Sequence, residues 1–188
     1  EDGIRDKLVT GVQTCALPIC GISIYGFARD DGLYDIEGHI TDMKPVQYVT
    51  ETDRVVNPGE RLHEMWVRLV IDEAMTVHEI EAVTDASPHG HCPEATAFLQ
   101  RLKGRNLMRG WRGAIKEQLP GVEGCAHLKE LLNAMASGAF QSLTVVRKAR
   151  AQAAGTDAKH AKMDSCYAYS VSGPLVQKKW PQFFVKRD

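Results

Sequence analysis

The sequence predicts an α+β domain in which a small antiparallel sheet packs against several helices, with a long helix towards the C-terminus and a terminal β-hairpin. Three observations predict this class. Two β-rich runs flank a short polar turn, apolar residues recur at helical spacing after residue 93, and a leucine-rich stripe runs from about residue 125 to 154. The 188 residues, 44% of them hydrophobic, are enough for one ordinary core.

The first half of the chain is predicted to form strands. Residues 32–41, GLYDIEGHIT, place single apolar residues among polar ones and predict a first strand. Residues 42–60 contain two prolines and predict a loop. The runs LHEMWVRLVI at 62–71 and TVHEIEAV at 76–83 are rich in β-branched and aromatic residues and together predict a β-hairpin.

Three helices are predicted after residue 92. Residues 93–103 begin with a proline, which suits the first helical position, and residues 110–119 end before a Pro-Gly pair. Residues 125–154 carry one apolar stripe that is predicted to face the core. The basic, alanine-rich part at 147–162 is predicted to project from that core.

The segments 166–171 and 175–179 predict the terminal pair of strands, joined around a Gly-Pro turn. Three large apolar residues earlier in the chain are predicted to lie in the core. They are Met65 and Trp66 of the run 62–71 and Trp111 of the predicted helix 110–119.

Charge and hydropathy exclude several kinds of partner. The chain has 24 acidic and 23 basic residues, so its net charge of −1 creates no field that would attract nucleic acid or anionic lipid. No apolar run reaches the roughly 18 to 20 residues that span a bilayer, and the N-terminus lacks the pattern of a secretory signal. We therefore expect a cytoplasmic protein with no membrane and no nucleic-acid partner, while a protein partner remains open.

The N-terminal segment differs from the rest of the sequence. Residues 5–19, RDKLVTGVQTCALPI, show no helical or strand period and resemble a translated sequencing adaptor of the kind found at the ends of metagenomic open reading frames. We predict that residues 1–20 are a non-native or disordered arm and that one domain covers 21–188. The alternative is a native arm with two thiols, Cys15 and Cys20.

The cysteines suggest reduced thiols. The total of five is odd, and excluding the arm leaves Cys92, Cys125 and Cys166. Cys92 and Cys125 each precede a predicted helix, where the positive end of the helix dipole favours a thiolate. His127 follows Cys125 by two residues, so both can reach one centre only if Cys125 is a cap residue outside the helix.

Three interpretations fit these cysteines and histidines. Sulfur and imidazole ligands favour zinc or iron over magnesium or calcium, although the absence of a C-x-x-C pair means that the fold must assemble the site. Alternatively, a cysteine nucleophile with a histidine base would make an enzyme. The cysteines can also be plain core residues. His39, Asp42 and His63 lie at predicted strand ends, where a site or a solvated histidine is expected.

Several strings resemble the bacterial DUF2889 family, a domain family of unknown function. They are DGLYDIEGHITDMKP, LHEMWVRLVID, EAVTDASPHGHCPEA, GWRGAIKEQLPGVEGCAHLKELL and DSCYAYSVSGPLV, and they cover essentially the whole chain after the arm. The resemblance implies no particular reaction.

The order of elements is also similar to that of iron-sulfur scaffold proteins of the NifU/IscU type, which implies a NifU/IscU-like core. By this resemblance His63, Cys92 and Cys125 occupy the scaffold's ligand positions, with His127 or Cys166 nearby. Histidine replaces the first cysteine and the last His-Cys pair becomes Cys-x-His, which favours a mononuclear metal site over a labile cluster. Three hypotheses stay open: a metal-binding domain, a thiol- or metal-dependent enzyme using Cys125 or Cys92 with His127, and a non-catalytic accessory protein that contacts a partner through residues 147–162.

Overall fold

A computed structural model describes residues 19–155 and 163–186. Its contacts divide the chain into two compact units, Glu1–Ser142 and Leu143–Asp188, which are treated separately below. Most of the predicted arm and part of the basic segment, residues 156–162, lie outside the described residues. Among the helices that are described, none combines the length and the apolar character needed to cross a bilayer.

The first unit is built on a four-stranded antiparallel sheet, in which β1 (Ile19–Ala28) pairs with β2 (Tyr34–Met43), β2 with β5 (Arg61–Ile71), and β5 with β6 (Val77–Ala86). The hairpin of β5 and β6 and the strand β2 confirm the sequence prediction, within a few residues at each end. The predicted loop between β2 and β5 also contains a small two-stranded ribbon. The ribbon consists of β3, Tyr48–Val49, and β4, Val55–Val56.

Strand β1 was not predicted. It begins at Ile19, inside the excluded arm, and pairs along its whole length with β2. Two glycines, Gly21 and Gly26, interrupt its apolar pattern, and glycine is unfavourable within strands. Exposed apolar side chains on both of its faces further obscure the alternation that reveals a half-buried strand.

Three helical segments follow the sheet, as the sequence predicts. The segment Cys92–Leu102 is a 3-10 helix with a proline at its start, α1 is Trp111–Gln118, and α2 is Ala126–Ala153. The predicted apolar stripe of α2 is buried, with Leu128, Leu131, Leu132, Met135 and Ala139 each fully inaccessible. The observed architecture is therefore α+β, with a long helix that begins in the first unit.

Helix α2 packs closely on the inner face of β1 and β2, because glycines remove side chains at the contact. A Cβ atom at Gly38 would lie 2.7 Å from Met135 Sδ and 3.0 Å from Leu131 Cδ1. On the helix side, a Cβ at Gly138 would collide with the side chain of Ile24. The inner face of the sheet therefore lies directly beneath the first turns of α2.

Trp66 is not a core residue, contrary to the sequence prediction. Its neighbour Met65 is 1% exposed, whereas Trp66 is 37% exposed. Successive side chains of a strand point to opposite faces, so the burial of Met65 directs Trp66 to the outer face. There its ring stacks on His39, with ring centroids 3.6 Å apart. Trp111 is buried as predicted, and its Nε1 donates to the Leu132 carbonyl at 2.8 Å.

The second unit contains no terminal β-hairpin among its described residues, and that part of the sequence prediction is wrong. The two predicted strands are instead a 3-10 turn, Tyr167–Tyr169, and a short helix α3, Pro174–Lys179, followed by a second 3-10 turn, Pro181–Phe183. Pro174 explains the error, since its fixed φ and missing N–H suit the first helical position and prevent pairing within a sheet. Val176 of α3 is fully buried.

Candidate metal centre

Three elements of the first unit bring polar side chains to one end of the sheet. Asp42 lies near the end of β2, His63 near the start of β5, and His127 in the first turn of α2. Asp42 and His63 are direct partners in the register. They follow Ile40 and Met65 on the inner face, which α2 covers. The hydrophobic packing of α2 therefore places His127 above this pair.

The three side chains form a group that can hold a metal ion. One donor atom from each of Asp42, His63 and His127 lies within 4.8 Å of the others. In the ranges that the structure describes, this is the one group of three or more histidine, cysteine, aspartate or glutamate residues that meets the criterion. Two imidazoles and a carboxylate are a donor set used by zinc and by non-haem iron.

Irregularities in two strands accompany the site. The pairing of β2 with β5 shifts between Asp42 and Met43, and that of β5 with β6 shifts between Glu64 and Met65. Such bulges redirect side chains locally and are frequent beside functional sites. The site therefore lies where the regular ladder of the sheet ends.

Asp42 is the most buried member of the group, with a side chain 9% exposed. Its carboxylate accepts two hydrogen bonds from Lys44 Nζ, at 2.8 and 2.9 Å, and lies 3.1 Å from His63 Nδ1. Burial alone would raise the pKa of Asp42, but the hydrogen bonds from Lys44 and His63 outweigh it and lower the pKa below the ordinary aspartate value. The carboxylate is therefore ionised at neutral pH.

His63 is held neutral by its surroundings. Burial is the largest effect and lowers the pKa of His63, although the hydrogen bond to Asp42 acts in the opposite direction and His127 reinforces the lowering. A neutral ring that donates from Nδ1 to Asp42 leaves the Nε2 lone pair available. An ion held by both residues would take the place of the Nδ1 proton, since Nε2 lies on the side of the ring away from Asp42.

Cys125 adds a sulfur next to the group. Helix α2 begins at Ala126, and the Cys125 carbonyl accepts a hydrogen bond from the Lys129 amide, so Cys125 is the cap residue that the sequence predicts. Its Sγ lies 3.7 Å from His127 Nδ1. Burial would raise the pKa of Cys125, but His127 and backbone amides of the first turn lower it overall. Reciprocally, the hydrogen bond to Cys125 raises the pKa of His127.

The rings of His63 and His127 lie face to face, with centroids 4.0 Å apart and planes tilted by 30°. This contact connects the Asp42–His63 pair to the Cys125–His127 pair in one continuous cluster. Met65 forms part of its floor, since its Sδ lies 4.0 Å from Cys125 Sγ. Thr84 pairs with Met65 in the register, and its buried hydroxyl has no hydrogen-bond partner in the described part of the chain.

The predicted site residues are only partly brought together. His63 and His127 belong to the group, and Cys125 lies beside His127. Cys92 begins the 3-10 helix that packs on β6, half-buried and outside the group. Cys166 is exposed and belongs to the second unit.

Asp42 is the member that sequence reasoning did not select as a ligand. The feature of the sequence that could have indicated a ligand here is the position of Asp42 at a strand end, close to a lysine. The pairing with His63 could not be seen, because it depends on the register of two strands separated by the ribbon. Two other histidines of the described residues have contacts elsewhere: His39 pairs with Glu64 on the outer face, and His78 pairs with Asp72.

Comparisons with known proteins identify the family of this chain but give no information about a reaction. A family model described as "Protein of unknown function (DUF2889)" matches residues 21–141, which include the whole cluster. No curated protein and no solved structure matches the chain, so the similarity to iron-sulfur scaffolds rests on the sequence alone. The match covers more than half of the sequence, and the chain therefore belongs to the DUF2889 family of proteins of unknown function.

Proposed function

We propose that this protein binds a single zinc ion at the end of its sheet through Asp42, His63 and His127. The observation that carries the proposal is the convergence of three donor atoms within 4.8 Å, on residues 42, 63 and 127 of the chain. Convergence of donors from three separate elements is what a metal centre assembled by the fold requires.

The sulfur of Cys125 favours zinc over the other metal ions that two histidines and a carboxylate can bind. Sulfur and nitrogen ligands at zinc distances of about 2.3 and 2.0 Å lie about 3.5 Å apart in tetrahedral coordination. The Cys125 Sγ to His127 Nδ1 distance is 3.7 Å, so both atoms can ligate one ion with little movement. Without the sulfur, the remaining two histidines and one carboxylate would equally suit iron(II) with open positions.

Each residue has a separate task in the proposed centre. His63 ligates through Nδ1, and Asp42 ligates through the carboxylate oxygen that lies 3.1 Å from this nitrogen, so the zinc ion takes the place of the shared proton. His127 ligates through Nδ1 and must lose its proton, so zinc binding releases protons and strengthens as pH rises. Lys44 holds the carboxylate in the metal-free protein and turns towards solvent when zinc replaces it, since its side chain is 21% exposed.

The centre is mononuclear in this proposal. Iron-sulfur clusters are held mainly by cysteine thiolates, and Cys125 is the one thiol within 4 Å of a group member in the described residues. A scaffold-like role would need Cys92 at the same centre, but Cys92 lies outside the group. The donor set therefore favours one ion over a cluster.

Competitive zinc titration of the untagged full chain tests the proposal. We expect one tight site, and we expect Asp42→Asn, His63→Gln and His127→Gln each to weaken it. The loss should exceed the roughly 10- to 100-fold effect that removal of an outer-shell partner causes. His39→Gln and His78→Gln are matched controls, because those histidines pair with carboxylates elsewhere. Equal zinc affinity in all five variants and the parent would refute the site.

Cobalt(II) substitution decides whether the centre is closed or open. If Cys125 ligates, the cobalt protein shows a sulfur-to-metal charge-transfer band that Cys125→Ser abolishes, and four protein ligands make a structural site. If the band is absent, three protein ligands leave a position for water, which is the arrangement of hydrolytic zinc enzymes.

A second candidate function is thiol chemistry at Cys125. The supporting observation is the mutual stabilisation of the pair, in which His127 lowers the pKa of Cys125 and Cys125 raises that of His127. A thiolate beside an imidazolium is the activated form of a cysteine nucleophile.

Iodoacetamide labelling of the metal-free protein separates the two candidates. An activated thiol predicts that Cys125 reacts faster at neutral pH than the exposed Cys20 and Cys166, and that His127→Gln removes the difference. A Cys125 that reacts more slowly than both exposed thiols would eliminate this candidate and leave the metal proposal intact.

A further inference from the structure

The outer face of the sheet is the face opposite to helix α2, which packs on the inner face together with the metal-site group. Side chains point outwards at every second position of a strand. The next row of this face beyond the stacked rings of His39 and Trp66 is aligned by the register across all four strands. It consists of Tyr25, Glu37, Arg68 and Glu81. A molecule bound to the outer face would therefore not contact the proposed zinc ion.

Strand β1 presents exposed aromatic rings on the outer face. Tyr25 and Phe27 are 54% and 50% exposed. They lie two positions apart on one strand, so both rings point the same way and their Cα atoms are about 6.7 Å apart. Large apolar side chains that gather on one water-exposed surface mark places where proteins bind partners, and aromatic residues are enriched there. The two rings therefore indicate an interaction surface.

The outer face is negatively charged, although the whole chain has a net charge of only −1. Its arginines, Arg61 and Arg68, are outnumbered by its carboxylates, and both are already paired with them. The carboxylates at outward positions are Asp35, Glu37, Glu64, Glu79 and Glu81. Local negative charge attracts a basic partner and repels nucleic acid and anionic lipid. Charge complementarity therefore selects a basic protein segment as the occupant.

Guanidinium groups of the chain itself already bind to this face. Asp35 accepts a hydrogen bond from Arg29 at 3.2 Å and lies 3.6 Å from an Nη atom of Arg68. Arg68 also pairs with Glu81, at 2.9 Å. Glu37 stands opposite Arg68 in the register, but it has no ion-pair partner within 4.0 Å among the residues that the structure describes. One carboxylate of the face is therefore left for a cation from outside.

Glu37 and Tyr25 supply the two groups that a further guanidinium needs. They are direct cross-strand partners, so their Cβ atoms lie about 5 Å apart on the same face. The planar guanidinium of an arginine can stack on an aromatic ring while it pairs with a carboxylate, whereas the ammonium of lysine is a compact, strongly hydrated charge. Phe27 and Asp35 repeat the arrangement one pair further along β1.

We propose that the outer face binds an arginine-rich segment of a partner protein in an extended conformation. One arginine stacks on Tyr25 and pairs with Glu37, and the arginine two residues away packs on Phe27. Alternate side chains of an extended segment lie about 6.7 Å apart, which matches the spacing of the two rings. The other carboxylates attract the remaining positive charge of the segment. The proposal does not depend on zinc, since Asp42 and His63 point to the opposite face.

Two blocked heptapeptides serve as probes, one in which arginine alternates with threonine and one with lysine in place of each arginine. They carry the same charge, so stacking on the rings and the shape of the cation distinguish them. Isothermal titration of the full chain should show saturable binding of the arginine peptide, weakened by salt. We expect the arginine peptide to bind about tenfold more tightly than the lysine peptide.

Two pairs of variants locate the site. Glu37→Gln should weaken binding of the arginine peptide about threefold to tenfold, whereas Glu94→Gln, which removes an exposed carboxylate from the 3-10 helix, should not. Tyr25→Thr should remove the preference for arginine over lysine, whereas Tyr167→Thr, at a 99% exposed position of the second unit, should keep it. The replaced side chains are all accessible to water, and threonine is favoured in strands, so the variants keep the fold.

The proposal is overturned if binding of the arginine peptide does not saturate, if the lysine peptide binds equally well, or if Glu37→Gln and Glu94→Gln lose the same affinity. It is also overturned if a single-stranded uridine oligonucleotide binds more tightly than the arginine peptide. Sedimentation gives the last test, because a dimer that Tyr25→Thr dissociates would show that a second copy of the chain occupies this face instead.

Discussion

Replacement of Asp42 by asparagine gives a quantitative test of the electrostatics of the site in the metal-free protein. The side chain keeps its shape and loses its charge. Asp42 is 9% exposed and holds both Lys44 and His63, so the change weakens charge-assisted hydrogen bonds to both partners. Breaking a fully buried ion pair costs about 3 to 5 kcal/mol.

The expected cost is lower here because Lys44 can reach solvent. We expect Asp42→Asn to reduce the free energy of unfolding by about 2 kcal/mol at pH 7. For a chain of this size that corresponds to a fall of about 4 to 8 °C in the midpoint of thermal unfolding. Urea unfolding followed by circular dichroism, with a chelator present, measures the difference.

The pH dependence has a definite sign. The pKa of Asp42 is lowered in the folded protein, so the unfolded state takes up its proton first as pH falls. The stabilisation is complete above the unfolded value, near pH 4, and is lost as pH falls through the lower folded pKa. The parent and Asp42→Asn should therefore converge in stability in strong acid.

Asp31→Asn is the control, since Asp31 forms an exposed ion pair with Arg29 and should change stability little at any pH. A difference between the parent and Asp42→Asn that stays constant from pH 7 to strong acid would refute the electrostatic reasoning.

Three further predictions concern packing and metal affinity. Gly38→Ala should destabilise the protein by about 1 to 3 kcal/mol in urea unfolding, because the added methyl meets Met135 and Leu131. Gly113→Ala, at a helical position with open space, should stabilise it by about 0.5 to 1 kcal/mol, and equal effects of the two changes would contradict the packing described here. Trp111→Phe should cost about 1 to 2 kcal/mol, since it removes the hydrogen bond to the Leu132 carbonyl; an unchanged urea midpoint would show that this bond contributes nothing. Lys44→Gln should raise zinc affinity about tenfold in competitive titration, because zinc no longer displaces an ammonium group from Asp42, and weaker binding would contradict the role given to Lys44.

Local patterns were sufficient to predict most of the fold. The β5–β6 hairpin follows from two β-rich runs around a polar turn, and the helices follow from spacing and from proline and glycine at their ends. The prediction of a terminal hairpin was wrong because a short apolar run fits a strand or a helix equally well. Pro174 lies at the first position of this run, where it favours the helix α3. The prediction that Trp66 lies in the core was wrong because hydrophobicity alone does not say which face of a strand is buried.

The site was less predictable than the fold. His127 and Cys125 lie close together in sequence, and the rule for helix caps was enough to predict that their side chains meet. Asp42 and His63 are brought together by strand register, which a bulge alters at this very point. Cys92 was selected because it precedes a helix, but the helix dipole indicates where a thiol can be reactive and not which residues share its pocket.

The most direct test of the central claim is a crystal structure of the zinc-loaded full chain, with anomalous diffraction data collected at the zinc absorption edge. We predict one anomalous peak bounded by Asp42, His63 and His127, within about 2.0 to 2.2 Å of a donor atom of each. A peak at another position, or none at these residues in crystals that contain stoichiometric zinc, would contradict the account.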